Sequence, residues 1–267
     1  MSEPRGPLAE RVAGIARAAG REILDVYAQG ATARVLKEDD SPLTAADLRS
    51  HRLIGSALAA LTPGVPVLSE EAAQPPYAER ARWARHWLVD PLDGTREFLS
   101  RNGEFTVNIA LIEAHAPVLG VVHVPVSDTT YCGIAGEGAT RQVGSRPAQA
   151  VQVAARAADP VRVVGSRSHR GDSLAGFLER LGPHELKSVG SSLKLCMIAE
   201  GSADVYPRLG STSEWDTAAA HAVVSAAGGV VVELSGEPLR YNTRESLLNP
   251  FFVAYGDPGR DWLALLR

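Results

Sequence analysis

Asp90 and Asp93 stand three positions apart in Trp87-Leu88-Val89-Asp90-Pro91-Leu92-Asp93-Gly94-Thr95, directly after an apolar run. An apolar strand ending in two carboxylates can offer oxygen ligands to a hard cation at its carboxyl end, and Mg²⁺ takes such ligands in a tight octahedron completed by water or phosphate. Pro91 is expected to stop the strand ladder, Gly94 to permit an unusual backbone turn, and Thr95 to place a hydroxyl at the start of the next element. The same residues are also compatible with two ordinary turns, because Asp-Gly is a common turn dipeptide.

Further carboxylates fit both a chemical and a structural role. Glu70 and Glu71 follow the apolar segment Pro66-Val67-Leu68-Ser69, where adjacent acids repel one another unless solvated or neutralised. Asp47 lies three residues after Thr44 and Asp216 three after Ser213. Both pairs have the spacing of a helix capping box, and an acid at a helix N-terminus is electrostatically favourable without any ligand.

The elements that must position these groups follow from periodicity. Leu8, Val12, Ile15, Ala19, Ile23, Leu24 and Tyr27 recur at helical spacing up to Gly30, and helical spacing resumes after Thr44. A short strand precedes Glu70. From Trp87 onward, segments rich in branched and aromatic residues predict strands at 86–90, 104–113, 117–126 and 129–136. Residues 136–160, rich in Gly, Ala, Pro and Arg, form a seam between an expected lobe at 1–150 and a second at 151–267. The second lobe alternates strand and helix through 230–236, a pattern of layered α/β architecture.

Composition narrows the function. The 267 residues are 45% apolar, enough for a substantial core, and carry a formal charge of -4. The acidic balance and the lack of an extended basic, aromatic-interleaved track argue against a polymeric nucleic-acid partner. Two cysteines, Cys132 and Cys196, are too few for a disulfide framework or a sulfur-ligated zinc site. The seven histidines are scattered and define no metal constellation. No apolar run reaches transmembrane length and the first residues lack a signal-peptide core, so a cytoplasmic location is expected, extending to the periphery of the inner membrane.

Taken in order, SPLTAAD at 41–47, SEE at 69–71, DPLDGTREFLSRNGEFTVNIALIE at 90–113 and EWDTAAAHAVVSAAGG at 214–229 resemble the inositol monophosphatase superfamily. The stretches RNGEFTVNIALI, SRSH at 166–169 and SVGSSLKLCMIAEGSADVYPR at 188–208 resemble its CysQ-type 3'(2'),5'-bisphosphate nucleotidases. The resemblance implies an α/β fold, a layered α-β-α-β-α sandwich of the inositol monophosphatase and sugar phosphatase type. It implies that Glu70, Asp90 and the Leu92 carbonyl hold one Mg²⁺ and that Asp90, Asp93 and Asp216 hold a second, with a third, weaker ion near Glu70. Glu70, Thr95 and Asp47 then serve catalysis, with Asp47 orienting the Thr95 hydroxyl beside the attacking water.

Asp93, Gly94, Thr95 and Asp216 would seat the scissile phosphate. Ser191, Ser192, Lys194, Tyr206 and Arg208 are candidates for the rest of a small phosphorylated nucleotide; Arg208 could pair bidentately with phosphate, whereas Lys194 equally fits an exposed helix face. Arg167 and His169 suit an anion site, the interface between the lobes or an ordinary loop. The implied reaction is removal of the 3'-phosphate of adenosine 3',5'-bisphosphate, serving sulfate assimilation, and a homodimer is the implied assembly. An inositol or sugar monophosphatase, and a phosphorylated-ligand binding module without turnover, are the competing readings.

Overall fold

The computed structural model describes residues 5–30, 34–36, 42–167 and 172–266. Helix α1 (Gly6–Ala28) buries the predicted Val12, Ala19 and Ile23 together with Ala16 and Val26, while Leu8, Ile15 and Tyr27 pack half-buried at the edge of the same face. Strands β1 (Arg34–Leu36) and β2 (Pro42–Thr44) form a small antiparallel ribbon that delivers the chain to helix α2 (Ala45–Leu61). Thr44 caps α2 as its spacing predicts: its hydroxyl accepts from the Ala46 N–H at 3.2 Å, and Asp47 Oδ2 accepts from the Thr44 N–H at 2.7 Å.

A seven-stranded sheet follows. It contains β3 (Val67–Ser69), then, after the short helix α3 (Tyr77–Arg80), β4 (Arg85–Asp93), and, after helix α4 (Thr95–Leu99), β5 (Thr106–Glu113), β6 (Ala116–Val124), β7 (Thr129–Ile134), β8 (Gly138–Val143) and β9 (Gln149–Val151). Only β3 and β4 are parallel; the remaining neighbours pair antiparallel in sequence order. The composition between 136 and 160 obscures β8 and β9, which extend this sheet.

Pro91 does not stop the ladder, contrary to the expectation from sequence. Asp90 pairs with Asn108 and Asp93 with Thr106, so Pro91 and Leu92 together oppose Val107 in a β-bulge. A bulge leaves its extra residue outside the ladder, and the missing proline N–H is therefore tolerated there. The bent segment is tied to α2 by the Ser50 hydroxyl, which donates to the Pro91 carbonyl at 2.7 Å.

The second half alternates as predicted: β10 (Val161–Ser166), α5 (Asp172–Leu181), β11 (His184–Val189), α6 (Leu193–Ala199), β12 (Val205–Arg208), α7 (Glu214–Ala226) and β13 (Val230–Glu233). An unanticipated strand, β14 (Phe252–Tyr255), inserts between β12 and β13, antiparallel to both, giving the order β11-β10-β12-β14-β13. The β14 residues follow a turn-rich stretch with no periodic neighbour, so only the long-range pairing reveals the strand.

Side-chain alternation sorts the buried residues into three cores. Trp87, Val89, Ile109 and Leu111 face α1 and α2, whereas Leu88, Ala110 and Ile112 on the opposite face pack on α6 and α7. In the second sheet Val231, Phe252 and Ala254 face α6 and α7, and Val232 and Val253 face Phe177, Leu181 and Trp262 beyond. The result is the expected five-layer α-β-α-β-α sandwich, with α6 and α7 held between two sheets. Helix α7 lies unusually close to the first sheet: a Cβ at Gly120 would meet the Ala219 carbonyl oxygen at 2.1 Å, and one at Gly133 would meet Val223 Cα at 2.5 Å.

Candidate active site

The bulge in β4 directs Asp90, 1% exposed, and the buried Leu92 toward the carboxyl end of the strand, followed by Asp93. Gly94 adopts φ 90°, a left-handed conformation that glycine enters without steric cost, and Thr95 begins α4. The end of β3 supplies Glu70, whose N–H donates to the Val89 carbonyl at 3.1 Å and so registers it beside β4. Two helix N-termini complete the group, α2 with Asp47 and α7 with Asp216. These residues adjoin a cleft of about 490 Å³ whose walls include Glu70, Asp93, Gly94, Thr95 and Asp216 together with Ser191, Ser192, Lys194, Tyr206 and Arg208.

The acids repel one another strongly. Burial, then the charges of Glu70, Asp93 and Asp216, push the Asp90 carboxyl well above its ordinary range. Asp216 is raised in the same way, by burial and then Asp93, although its Oδ2 accepts the Ser213 N–H at 2.9 Å as the predicted capping box. Asp93 is raised to about 6 by burial, which outweighs the opposing charge of Lys194 and a 2.5 Å hydrogen bond from the Ser192 N–H to Oδ2.

Crowded carboxylates of this kind suit a divalent cation, because it replaces mutual repulsion by attraction to a shared charge. The donor set, four carboxylates and the Leu92 carbonyl, is all oxygen and fits a hard ion. Among the described residues no three His, Cys, Asp or Glu side chains are already drawn together closely enough to hold a metal ion by themselves.

Asp47 serves two neighbours at once. Its Oδ2 accepts from the Thr44 N–H and hydroxyl at 2.7 and 2.6 Å, while its Oδ1 lies 3.4 Å from the Thr95 hydroxyl. That hydroxyl is also 3.4 Å from the Leu92 carbonyl oxygen. The capping geometry and the proximity to Thr95 therefore coexist, since each uses a different carboxylate oxygen.

In the same cleft, Lys194 departs from one expectation. It is not on an exposed helix face but 6% exposed, because the short helix α6 is covered by both sheets. Burial, and then repulsion from Arg208, lower its pKa to about 8 against the attraction of Asp93. Its Nζ donates to the Ser191 and Val189 carbonyls at 2.5 and 3.2 Å. Arg208, 7% exposed, donates from Nη2 to the Ser211 carbonyl at 2.6 Å, and its buried Nε has no acceptor among the described residues. Tyr206 presents its ring to Lys194 at 5.6 Å.

Several neighbours escaped the sequence reading. Ser192 Oγ lies 2.8 Å from Thr106 Oγ1 and donates to Asn108 Oδ1 at 2.9 Å, which ties the second half of the chain to β5. Asn108 carried a readable signal: it is polar in the otherwise apolar run Val107-Asn108-Ile109-Ala110-Leu111. Trp215 and Leu248 also line the cleft and had none. Arg167 pairs with Glu104, with 2.7 and 3.0 Å contacts, while His169 lies outside the described residues.

The chain is similar to known proteins over nearly its whole length. The sequence profile described as the Inositol monophosphatase family matches residues 7–256. The chain is 51% identical over 245 residues to a protein of Salmonella typhimurium named 3'(2'),5'-bisphosphate nucleotidase CysQ, covering 91% of this chain and 97% of that one. Its likeness to the protein of the same name from Escherichia coli K12 is 50% over 244 residues, with the same coverage. The crystal structure of CysQ from Bacteroides thetaiotaomicron superposes with a TM-score of 0.82 at 42% identity, covering 94% of this chain and 97% of that one. With a profile match over nearly its whole length and relatives at this identity, the chain belongs to the inositol monophosphatase family.

Proposed function

We propose that this chain is a Mg²⁺-dependent phosphomonoesterase that removes the 3'-phosphate of adenosine 3',5'-bisphosphate to give AMP and phosphate, in support of sulfate assimilation. The observation that carries this reading is the presence of both charges within one cleft. Clustered carboxylates and the buried cations Lys194 and Arg208 line the same cleft. Divalent cations bound at the acids take up the charge of Asp93 and Asp216 that otherwise faces Lys194 and Arg208, and the second phosphate of a bisphosphate then supplies an anion for that basic pair. The names of the relatives point to the same substrate class.

In this reading Glu70, Asp90, Asp93, Asp216 and the Leu92 carbonyl hold two Mg²⁺ ions, with Glu70 beside a third, weaker site. Bound Mg²⁺ supplies Lewis-acid activation of water and neutralises the charge that develops on phosphoryl transfer. The chain's own groups then align the reactants. Asp47 Oδ1 accepts the Thr95 proton, which fixes the hydroxyl and directs its lone pairs toward an incoming water. The Gly94 and Thr95 amides, at the start of α4, face the scissile phosphate, and Gly94 leaves that approach free of a side chain. Ser191, Ser192, Lys194, Tyr206 and Arg208 hold the nucleotide and its second phosphate. A cytoplasmic homodimer remains part of this proposal, and no described helix is long and apolar enough to cross a membrane.

Product identity tests the reading. Incubation with adenosine 3',5'-bisphosphate and Mg²⁺ is expected to release AMP and phosphate in equal amounts, resolved by phosphorus NMR. Release of the 5'-phosphate instead, or no release, overturns it.

A further inference from the structure

The basic part of the cleft is held from the opposite sheet by a residue that does not line the cleft. Glu104 lies at the entry to β5, and its Oε2 accepts the Gly190 N–H at 2.8 Å across the junction between the two sheets. Arg167, at the end of β10, clamps the same carboxylate with Nε to Oε2 at 3.0 Å and Nη2 to Oε1 at 2.7 Å. Nη2 also donates to the Ser188 carbonyl at 2.9 Å, so one guanidinium joins Glu104 to the strand leading into Gly190. Burial alone would raise the Glu104 carboxyl, but the Arg167 and Gly190 hydrogen bonds hold it below its ordinary range.

What this clamp controls follows from the next residues. Ser191 has φ 48°, a left-handed conformation that costs a non-glycine residue energy and needs its surroundings to hold it. The Ser191 carbonyl accepts Lys194 Nζ, and the Ser192 N–H donates to Asp93. Gly190 itself is packed hard against the first half of the chain: a Cβ there would meet Glu97 Cγ at 2.5 Å and the Glu104 carbonyl oxygen at 2.9 Å. The turn at 190–192 is therefore set in place from outside, at its amide and through its packing, and the position of Lys194 depends on it.

We infer that Glu104, braced by Arg167, is a positioning residue that holds the Gly190–Ser192 turn in the geometry in which Ser191, Ser192 and Lys194 receive the substrate's second phosphate. This rests on the bisphosphate reading given above. The Glu104 side chain does not line the cleft; it acts through the turn, so its removal bears more on recognition of the second phosphate than on the chemistry at the first.

The test compares kcat and KM for adenosine 3',5'-bisphosphate and adenosine 3'-monophosphate in the wild type, Glu104→Ala and Arg167→Ala. Arg167 has a side chain 47% exposed, so its truncation keeps the test readable if Glu104→Ala folds poorly. Loss of a hydrogen bond to a charged group is expected to raise KM for the bisphosphate about 10-fold or more in Glu104→Ala, with a smaller rise in Arg167→Ala. Turnover of the monophosphate falls much less, its only link to the turn being the Ser192 N–H on Asp93. Equal losses on both substrates, or no change on either, overturn the inference. A wild type that shows no preference for the bisphosphate overturns the functional reading instead, and the inference with it.

Discussion

Asp47 and Thr95 meet through the carboxylate oxygen that the Thr44 cap does not engage. Asp47 Oδ2 is committed to Thr44, and Oδ1 stands 3.4 Å from the Thr95 hydroxyl. If that hydroxyl aligns the attacking water, Thr95→Ala is expected to lower kcat about 10²-fold to 10⁴-fold, the range of a positioned proton-transfer group, with nucleotide affinity preserved. Thr95→Ser recovers most of the rate. Steady-state kinetics alongside calorimetric binding of AMP separates the two quantities, and an unchanged kcat would remove Thr95 from catalysis.

The crowding around Asp90 sets opposite expectations with and without cation. In chelator-treated protein, Asp90→Asn relieves repulsion among buried acids and is expected to raise Tm. The wild type is expected to gain about 3 kcal/mol at Mg²⁺ one hundred times above Kd, and the variant to lose most of that gain. Thermal melts at both conditions should therefore cross in order; a variant that responds to Mg²⁺ like the wild type contradicts the ligand assignment.

His86 predicts acid sensitivity far from the cleft. Its ring is 1% exposed, neither nitrogen has a partner among the described residues, and burial, then His115 and Arg80, lower its pKa to about 4. The neutral ring folds freely, whereas the unfolded chain gains a proton near pH 6.5. Stability is thus complete above that pH and is lost as pH falls toward 4. His86→Leu is expected to gain about 2 kcal/mol relative to the wild type between pH 7.5 and pH 5, by linkage. Denaturant melts across that range would show no such pH trend if His86 were protonated in the fold.

Gly120 predicts a steric limit. With the Ala219 carbonyl 2.1 Å from the place of its Cβ, Gly120→Ala is expected to push α7 from the sheet at a cost of about 1–3 kcal/mol, as overpacking does. Because α7 carries Asp216, the same variant should weaken Mg²⁺ binding. A Tm equal to that of the wild type would mean that the helix moves without cost.

Much of this architecture was legible because local signals and tertiary demands coincide. Thr44 and Ser213 announced their helices through capping boxes that the structure contains, and the apolar alternation from Val107 to Leu111 announced β5. The β4 bulge was not legible, since Pro91 reads as a terminator unless the partner strand's register is known. Strand β14 required its two neighbours, and the burial of Lys194 required a second sheet above α6, neither of which sequence spacing encodes. Residue types signalled the carboxylates of the site, but their meeting point arises from elements nearly 170 positions apart, Asp47 on α2 and Asp216 on α7. Arg167 stood out in the SRSH stretch and does lie at the interface between the two halves, whereas Glu104 left no local mark because its partners lie on the opposite sheet.

In the proposed function one cleft holds two phosphates, one at the acids through Mg²⁺ and one at Lys194 and Arg208. The most direct test is kcat/KM for adenosine 3',5'-bisphosphate against myo-inositol 1-phosphate, measured on the same enzyme with Mg²⁺. The account predicts a preference for the nucleotide of at least about 100-fold, the discrimination expected when a buried cationic pair is left without its anion. Equal efficiencies, or a preference for the inositol phosphate, would contradict it.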